Sequence, residues 1–207
     1  MADLLYQAAL EYKKLKNVIY KIVVGRKGHS YTMMLHFPEE SFFHLAGLQH
    51  LTDITFPSTN KERIYKEILN GKITIDDIKK SIFYEKWFIE ERLANLYMLQ
   101  EMFDSNSVIY LIHSKKYVMY TRIKADYLCE QKMEDGSIIY FFSVIEKRMP
   151  KFKNECRGCS FFKKHSTDYT NGTSKTTTLL IEKNINDNLE VIYRNPSYKE
   201  NHSTTVF

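Results

Sequence analysis

Few side chains in this 207-residue chain can do acid–base or nucleophilic chemistry, and they are unevenly placed. Among seven histidines, His44 stands inside the apolar run Phe42-Phe43-His44-Leu45, where a polar side chain needs a reason. It is either a half-buried structural histidine or a proton-exchanging group, because an imidazole of ordinary pKa ~6.5 offers both its forms near neutrality. Arg122 and Lys124 lie two apart in a β-rich run and therefore face the same side of a strand. That cationic surface is plain solvent-facing polarity or a platform for phosphate. Residues 147–164 hold seven basic groups against one acid, with Phe152, Phe161 and Phe162 interleaved. The pattern suits a phosphate backbone with stacked bases, and equally a solvated loop whose phenylalanines point inward.

Cys156-Arg157-Gly158-Cys159, with His165 and Cys129, has the numbers for a tetrahedral zinc site but only half the spacing of one. On an extended strand His165 lies ~20 Å from Cys159, at about 3.3 Å per residue, which is too far to share a metal. The expectation is no metal site and no cofactor. No His-Glu-x-x-His, no His-x-Glu and no Gly-x-Ser-x-Gly occurs. The seven glycines never fall as Gly-x-Gly, so neither a dinucleotide-binding fingerprint nor a P-loop can be written.

These residues need elements to position them. One Trp, 15 Tyr and 13 Phe, with 43% apolar and 27% charged residues, describe an ordinary globular chain rather than a disordered one. Periodicity predicts a helix over about 3–15, a hairpin of strands 18–24 and 31–37 around Gly25–Gly28, and a helix opening at Pro38-Glu39-Glu40. Thr59…Glu62 and Thr74…Asp77 read as capping boxes of two short helices. Ile89, Leu93, Leu96, Leu99 and Phe103, widened by Trp87, Phe88 and Met98, read as one long buried helix over 84–103. Strands follow at 107–112, 117–130, 138–146, 158–164, 176–183 and 189–193. Helices first and antiparallel strands second make an α+β fold. One domain is expected over 1–195, with a polar, frayed tail over 196–207. No apolar run of membrane-spanning length and no signal-peptide pattern is seen, so a soluble, cytoplasmic chain without a membrane partner is expected.

Several of these segments together resemble a known family. They are Phe42–Leu48 after His36-Phe37, Ile123–Leu128, Ile139–Phe142, Ser160–Phe162, and Asp168–Thr170 leading into Leu179-Leu180. The family is the fourth phage-associated group of the Barnase, EndoU, colicin and RelE-like (BECR) nucleases, and the resemblance covers roughly residues 1–185. It implies helices packed on an antiparallel sheet and a metal-independent ribonuclease of phage or mobile-element type, expected to work as a toxin in a bacterial host. Within the matching motifs the resemblance points to His44, Lys124, Tyr127, Ser160, Tyr169 and Thr170 as catalytic. His44 would exchange the proton, Lys124 would stabilise the phosphorane, and Tyr127, Ser160 or Tyr169 would orient phosphate or leaving group. Arg122, Lys151, Lys153, Arg157, Lys163 and Lys164 would hold RNA or another nucleic acid. The rival reading is a non-catalytic factor on a nuclease-like scaffold that binds nucleic acid or a host protein, or answers to a cognate inhibitor.

Overall fold

The computed structural model describes residues 3–112, 123–147 and 150–199. Arg122, and with it the first part of the strand expected over 117–130, lies outside the described residues, as does most of the expected tail.

Local signals start the helices. Asp3 caps α1 (Leu4–Lys13) by accepting from the Tyr6 amide at 2.9 Å. Its second oxygen accepts from the Ile75 amide at 2.8 Å and so ties α1 to the start of α4 (Ile75–Ile78). The Thr74–Asp77 capping box of α4 forms as its sequence predicts. In α3 (Lys61–Leu69) the cap is Asn60, one residue later than Thr59, because the Asn60 side chain reaches the Arg63 amide at 3.0 Å. β1 (Val18–Arg26) and β2 (His29–His36) form a hairpin tighter than the expected four-residue loop. Only Lys27 and Gly28 turn, at φ 49° and 77°.

The rod expected over 84–103 is a correction. Two helices, α5 (Ile89–Asn95) and α6 (Met98–Phe103), replace it. Phe88 enters α5 in the left-handed region at φ 52°. The amides of Leu96 and Leu99 bond three residues back, to Leu93 and Leu96, and this overtightened step splits the rod. The predicted stripe is buried nonetheless, whereas Trp87 and Phe88 are exposed rather than part of it.

The remaining strands are β3 (Val108–Leu111), β4 (Tyr127–Lys132), β5 (Ile138–Ile145), β6 (Glu155–Lys163), β7 (Ser174–Lys175), β8 (Thr177–Ile185) and β9 (Asn188–Arg194). They form one sheet in the order β7-β3-β4-β5-β6-β2-β1-β8-β9. Pairing is antiparallel except between β2 and β6, where Met34–His36 run alongside Glu155–Arg157. Thr176, between β7 and β8, donates its amide and hydroxyl to the Ile109 carbonyl at 3.0 and 2.7 Å, so the sheet curls until its ends approach. This is the expected α+β class. β6 begins three residues earlier than expected and takes Cys156 into the strand.

One face of the sheet packs the helices. Tyr20, Ile22, Leu35, Tyr127, Phe141, Cys156 and Phe161 share this core with Leu5, Tyr12, Leu93 and Phe103. Buried tyrosines keep their hydroxyls bonded there: Tyr12 to the Pro38 carbonyl at 2.9 Å, Tyr65 to that of Ala9 at 3.0 Å. The other face carries a smaller cluster of Leu128, Tyr140 and Phe142, covered by Ile123, Ala125, Phe162 and Tyr169.

Candidate functional site

After His36 the β2 chain leaves β6, and the segment that follows packs along β6 as α2 (Phe42–Leu45). Gly158 permits this approach, because a Cβ there would come within 2.8 Å of Phe141 and 3.0 Å of Leu45. Gly47, at φ 77°, then reverses the chain into the 3-10 turn Leu48–His50. A Cβ at Gly47 would meet Arg92 at 2.8 Å, so glycine both makes the turn and leaves room for that guanidinium.

The outcome is a cluster of cations and imidazoles. His44 is half-buried, outside the main core, with its ring edge-on to Phe43. The Lys61 ammonium donates to its Nε2 at 2.7 Å from the first turn of α3. Burial, then the charges of Lys61 and Arg157, push the His44 pKa down to about 4. His50 stacks on the Trp87 indole at 4.2 Å between centroids and contacts the Gln49 amide nitrogen at 3.2 Å. Burial, then Arg92 and His44, bring its pKa to about 4 as well. Arg92 is 7% exposed. Its Nε donates to the Trp87 carbonyl and its Nη1 to that of Phe161, both at 3.0 Å, while the guanidinium sits 5.0 Å from the Phe162 ring centre. Beside it, His165 stacks on Phe88 at 3.9 Å and pairs with Glu91 at 3.0 Å. The arrangement holds two neutral imidazoles as proton acceptors beside fixed positive charge.

The sequence-predicted residues divide among several places. Arg157 lies on the sheet face away from the helices, opposite His36, pairs with Glu40 at 3.0 Å and Glu146 at 3.2 Å, and acts on His44. Ser160 sits on that same face, opposite Phe142, and Tyr169 packs nearby against Phe162 and acts electrostatically on Arg92. Lys124 is exposed, ahead of β4 rather than inside a strand, and its carbonyl accepts from the Cys159 thiol at 3.8 Å. Thr170 donates its hydroxyl to Asp168 at 2.6 Å, and Lys164 reaches the same carboxylate at 2.8 Å. Together they hold Asp168 well below the usual carboxylate range. Tyr127 is buried on the opposite, helix-packed face. Lys163 pairs with Asp135 at 3.8 Å, and Lys151 and Lys153 line a separate cleft. His50, Lys61, Arg92 and Trp87 are not among the sequence-predicted site residues.

The three thiols do not converge. Cys129 and Cys156 face the helix-packed core, and Cys159 the other side. Among the described residues no group of three or more His, Cys, Asp or Glu side chains is placed to hold a metal ion, and no helix is long and apolar enough to cross a membrane.

The depressed histidines carry a stability consequence. An unfolded histidine binds its proton near pH ~6.5 and these two do so only near 4, so the unfolded state holds more protons between those values. Stability is full above that window and falls as pH drops through it. Urea midpoints at pH ~7 and ~5 are expected to differ, and His44→Gln with His50→Gln to shrink that difference. An undiminished difference in the double variant would refute the assignment.

The family model that matches the chain, over residues 4–199, is described as phage-Barnase-EndoU-ColicinE5/D-RelE like nuclease 4. No curated protein and no solved structure matches the chain.

Proposed function

Because the chain belongs to this phage-type nuclease family, we propose that it is a metal-independent endoribonuclease whose reaction centre is the His44–Lys61 pair with His50, Arg92 and Arg157. The observation that carries this reading is the 2.7 Å contact from the Lys61 ammonium to an imidazole kept neutral at pH 7.

His44 in that state is a base ready to take the proton of an RNA 2'-hydroxyl. As the 2'-oxygen attacks phosphorus, Lys61 swings on its flexible stem to the reacting phosphate, freeing His44 Nε2. Its ammonium neutralises developing charge, with the guanidiniums of Arg92 and Arg157 and a hydrogen bond from His50. The P–O5' bond breaks, the 5'-oxygen takes a proton from Lys61, and a 2',3'-cyclic phosphate and a 5'-hydroxyl result. The His44 imidazolium then returns its proton to the Lys61 amine across the same contact, and the pair is reset. Lys124, Tyr169 and Thr170, toward the sheet face away from the helices and above the buried Ser160, serve as the shelf for a flanking nucleotide, with Arg92 linking shelf and centre.

This chemistry uses the chain's own proton carriers, so cleavage of total RNA is expected to persist at full rate in EDTA. Activity lost in chelator and restored by magnesium or manganese would overturn the metal-independent reading.

A further inference from the structure

A broad concavity of the described chain lies away from His44. It is a cleft of about 1090 Å³ on the outer face of β1, β2 and β8, walled by the 151–154 turn and residues 197–199. Its cations are Lys21, Arg26, Lys27, Lys151, Lys153 and Lys199, and the one carboxylate among its lining residues, Glu182, is paired with Lys21 at 2.9 Å. Lys27, Lys151, Lys153 and Lys199 are exposed, and Leu189 and Tyr198 add apolar surface among Thr32, Asn154 and Asn184. Strong positive charge with interspersed apolar and hydrogen-bonding groups, and no second acid, is complementary to a phosphodiester backbone with unstacked bases.

The cleft also leads somewhere. At its wall Phe152 meets the His36 ring edge-on at 5.9 Å; His36, paired with Glu155 at 2.8 Å, stands in register with Arg157, which is held by Glu40 and Glu146 and whose charge helps to lower the His44 pKa. From His29 to His36 β2 extends roughly 23 Å, at about 3.3 Å per residue, enough for several phosphates.

We propose that this cleft is a sequence-tolerant binding groove for single-stranded nucleic acid, running from the β1–β2 turn past Phe152 and Arg157 to the His44 centre. It rests on the nuclease reading only for what happens at the His44 end; the binding itself does not need it. Residues from the basic run contribute through Lys151 and Lys153, while Lys163 and Lys164, tied to Asp135 and Asp168, lie outside the groove.

The test is fluorescence anisotropy of labelled single strands, one of 2'-O-methyl RNA and one of DNA of the same sequence, titrated with the full chain across a salt series. Lys27→Glu with Lys153→Glu is expected to raise Kd about tenfold or more at low salt, and to lower the salt slope by about 1.4 for two lost single-strand phosphate contacts. Loss for both strands identifies the shared backbone as the ligand, and loss for RNA alone identifies the ribose as well. Unchanged Kd and slope for both, in a variant whose unfolding midpoint matches the parent, overturns the groove. Cleavage separates the two ideas. With the groove correct, the variant loses rate on long strands while keeping it on a dinucleotide. Strands that bind through Lys27 and Lys153 yet are never cut leave the groove standing and remove the nuclease reading.

Discussion

His44→Ala is expected to lower the cleavage rate by ~100 to 10,000-fold, the usual contribution of a positioned general base, while the protein stays folded. The first half follows from the neutral imidazole beside Lys61; the second from its surroundings. His44 is only half-buried and lies outside the cluster that joins helices to sheet, and its neighbours Phe42 and Leu45 make that contact instead. Truncating such a side chain costs about 1 kcal/mol or less of stability. Rate and thermal midpoint measured together decide between a reactive and a structural histidine, because a structural one would lower the midpoint and leave the rate per folded molecule intact.

Lys61→Met is expected to cost ~100 to 1,000-fold in kcat/KM, as for removal of a preorganised group that stabilises transition-state charge. It should also move the pH profile. After burial, the Lys61 charge is the largest cause of the low His44 pKa, because an ammonium at 2.7 Å disfavours an imidazolium. Removing it raises that pKa from about 4. The base must be neutral to act, so the acid limb of kcat/KM shifts upward with it. Burial remains, which keeps the limb below the ordinary value of ~6.5. A limb that stays near 4 in Lys61→Met would detach Lys61 from His44.

Part of this site is legible in the sequence and part is not, for identifiable reasons. The oddity of His44 in an apolar run is local, and so is the Pro38-Glu39-Glu40 opening that places it, although the helix there is one turn after a 3-10 step. His50 and Lys61 have no periodic relation to His44. A left-handed turn at Gly47 brings the first back, and the Asn60 cap starts α3 so that Lys61 meets the ring. Gly47 was the available signal, since a glycine just past a short helix marks a reversal. Arg92 was hidden inside a correctly read apolar stripe. No glycine or proline between 84 and 103 announced the left-handed Phe88 or the tightened step at Leu96, and those breaks expose Trp87 to stack on His50.

The basic run shows a different limit. Composition placed seven cations together, but on a strand adjacent side chains alternate faces. Thus Lys163 and Lys164 part to Asp135 and Asp168, Arg157 pairs with Glu40 and Glu146, and Lys151 and Lys153 enter the cleft through the turn before β6. Charge density along a chain does not say which cations share a surface; pairing register does.

Attack by the RNA's own 2'-hydroxyl is tested by cleavage of two oligonucleotides that differ only in the 2'-hydroxyl at the scissile nucleotide, with the product ends identified by mass. The ribose substrate is expected to be cut to a 2',3'-cyclic phosphate and a 5'-hydroxyl, and the deoxy substrate not to be cut there. Equal cleavage of both, or 5'-phosphate ends from the ribose substrate, would contradict attack by the 2'-hydroxyl.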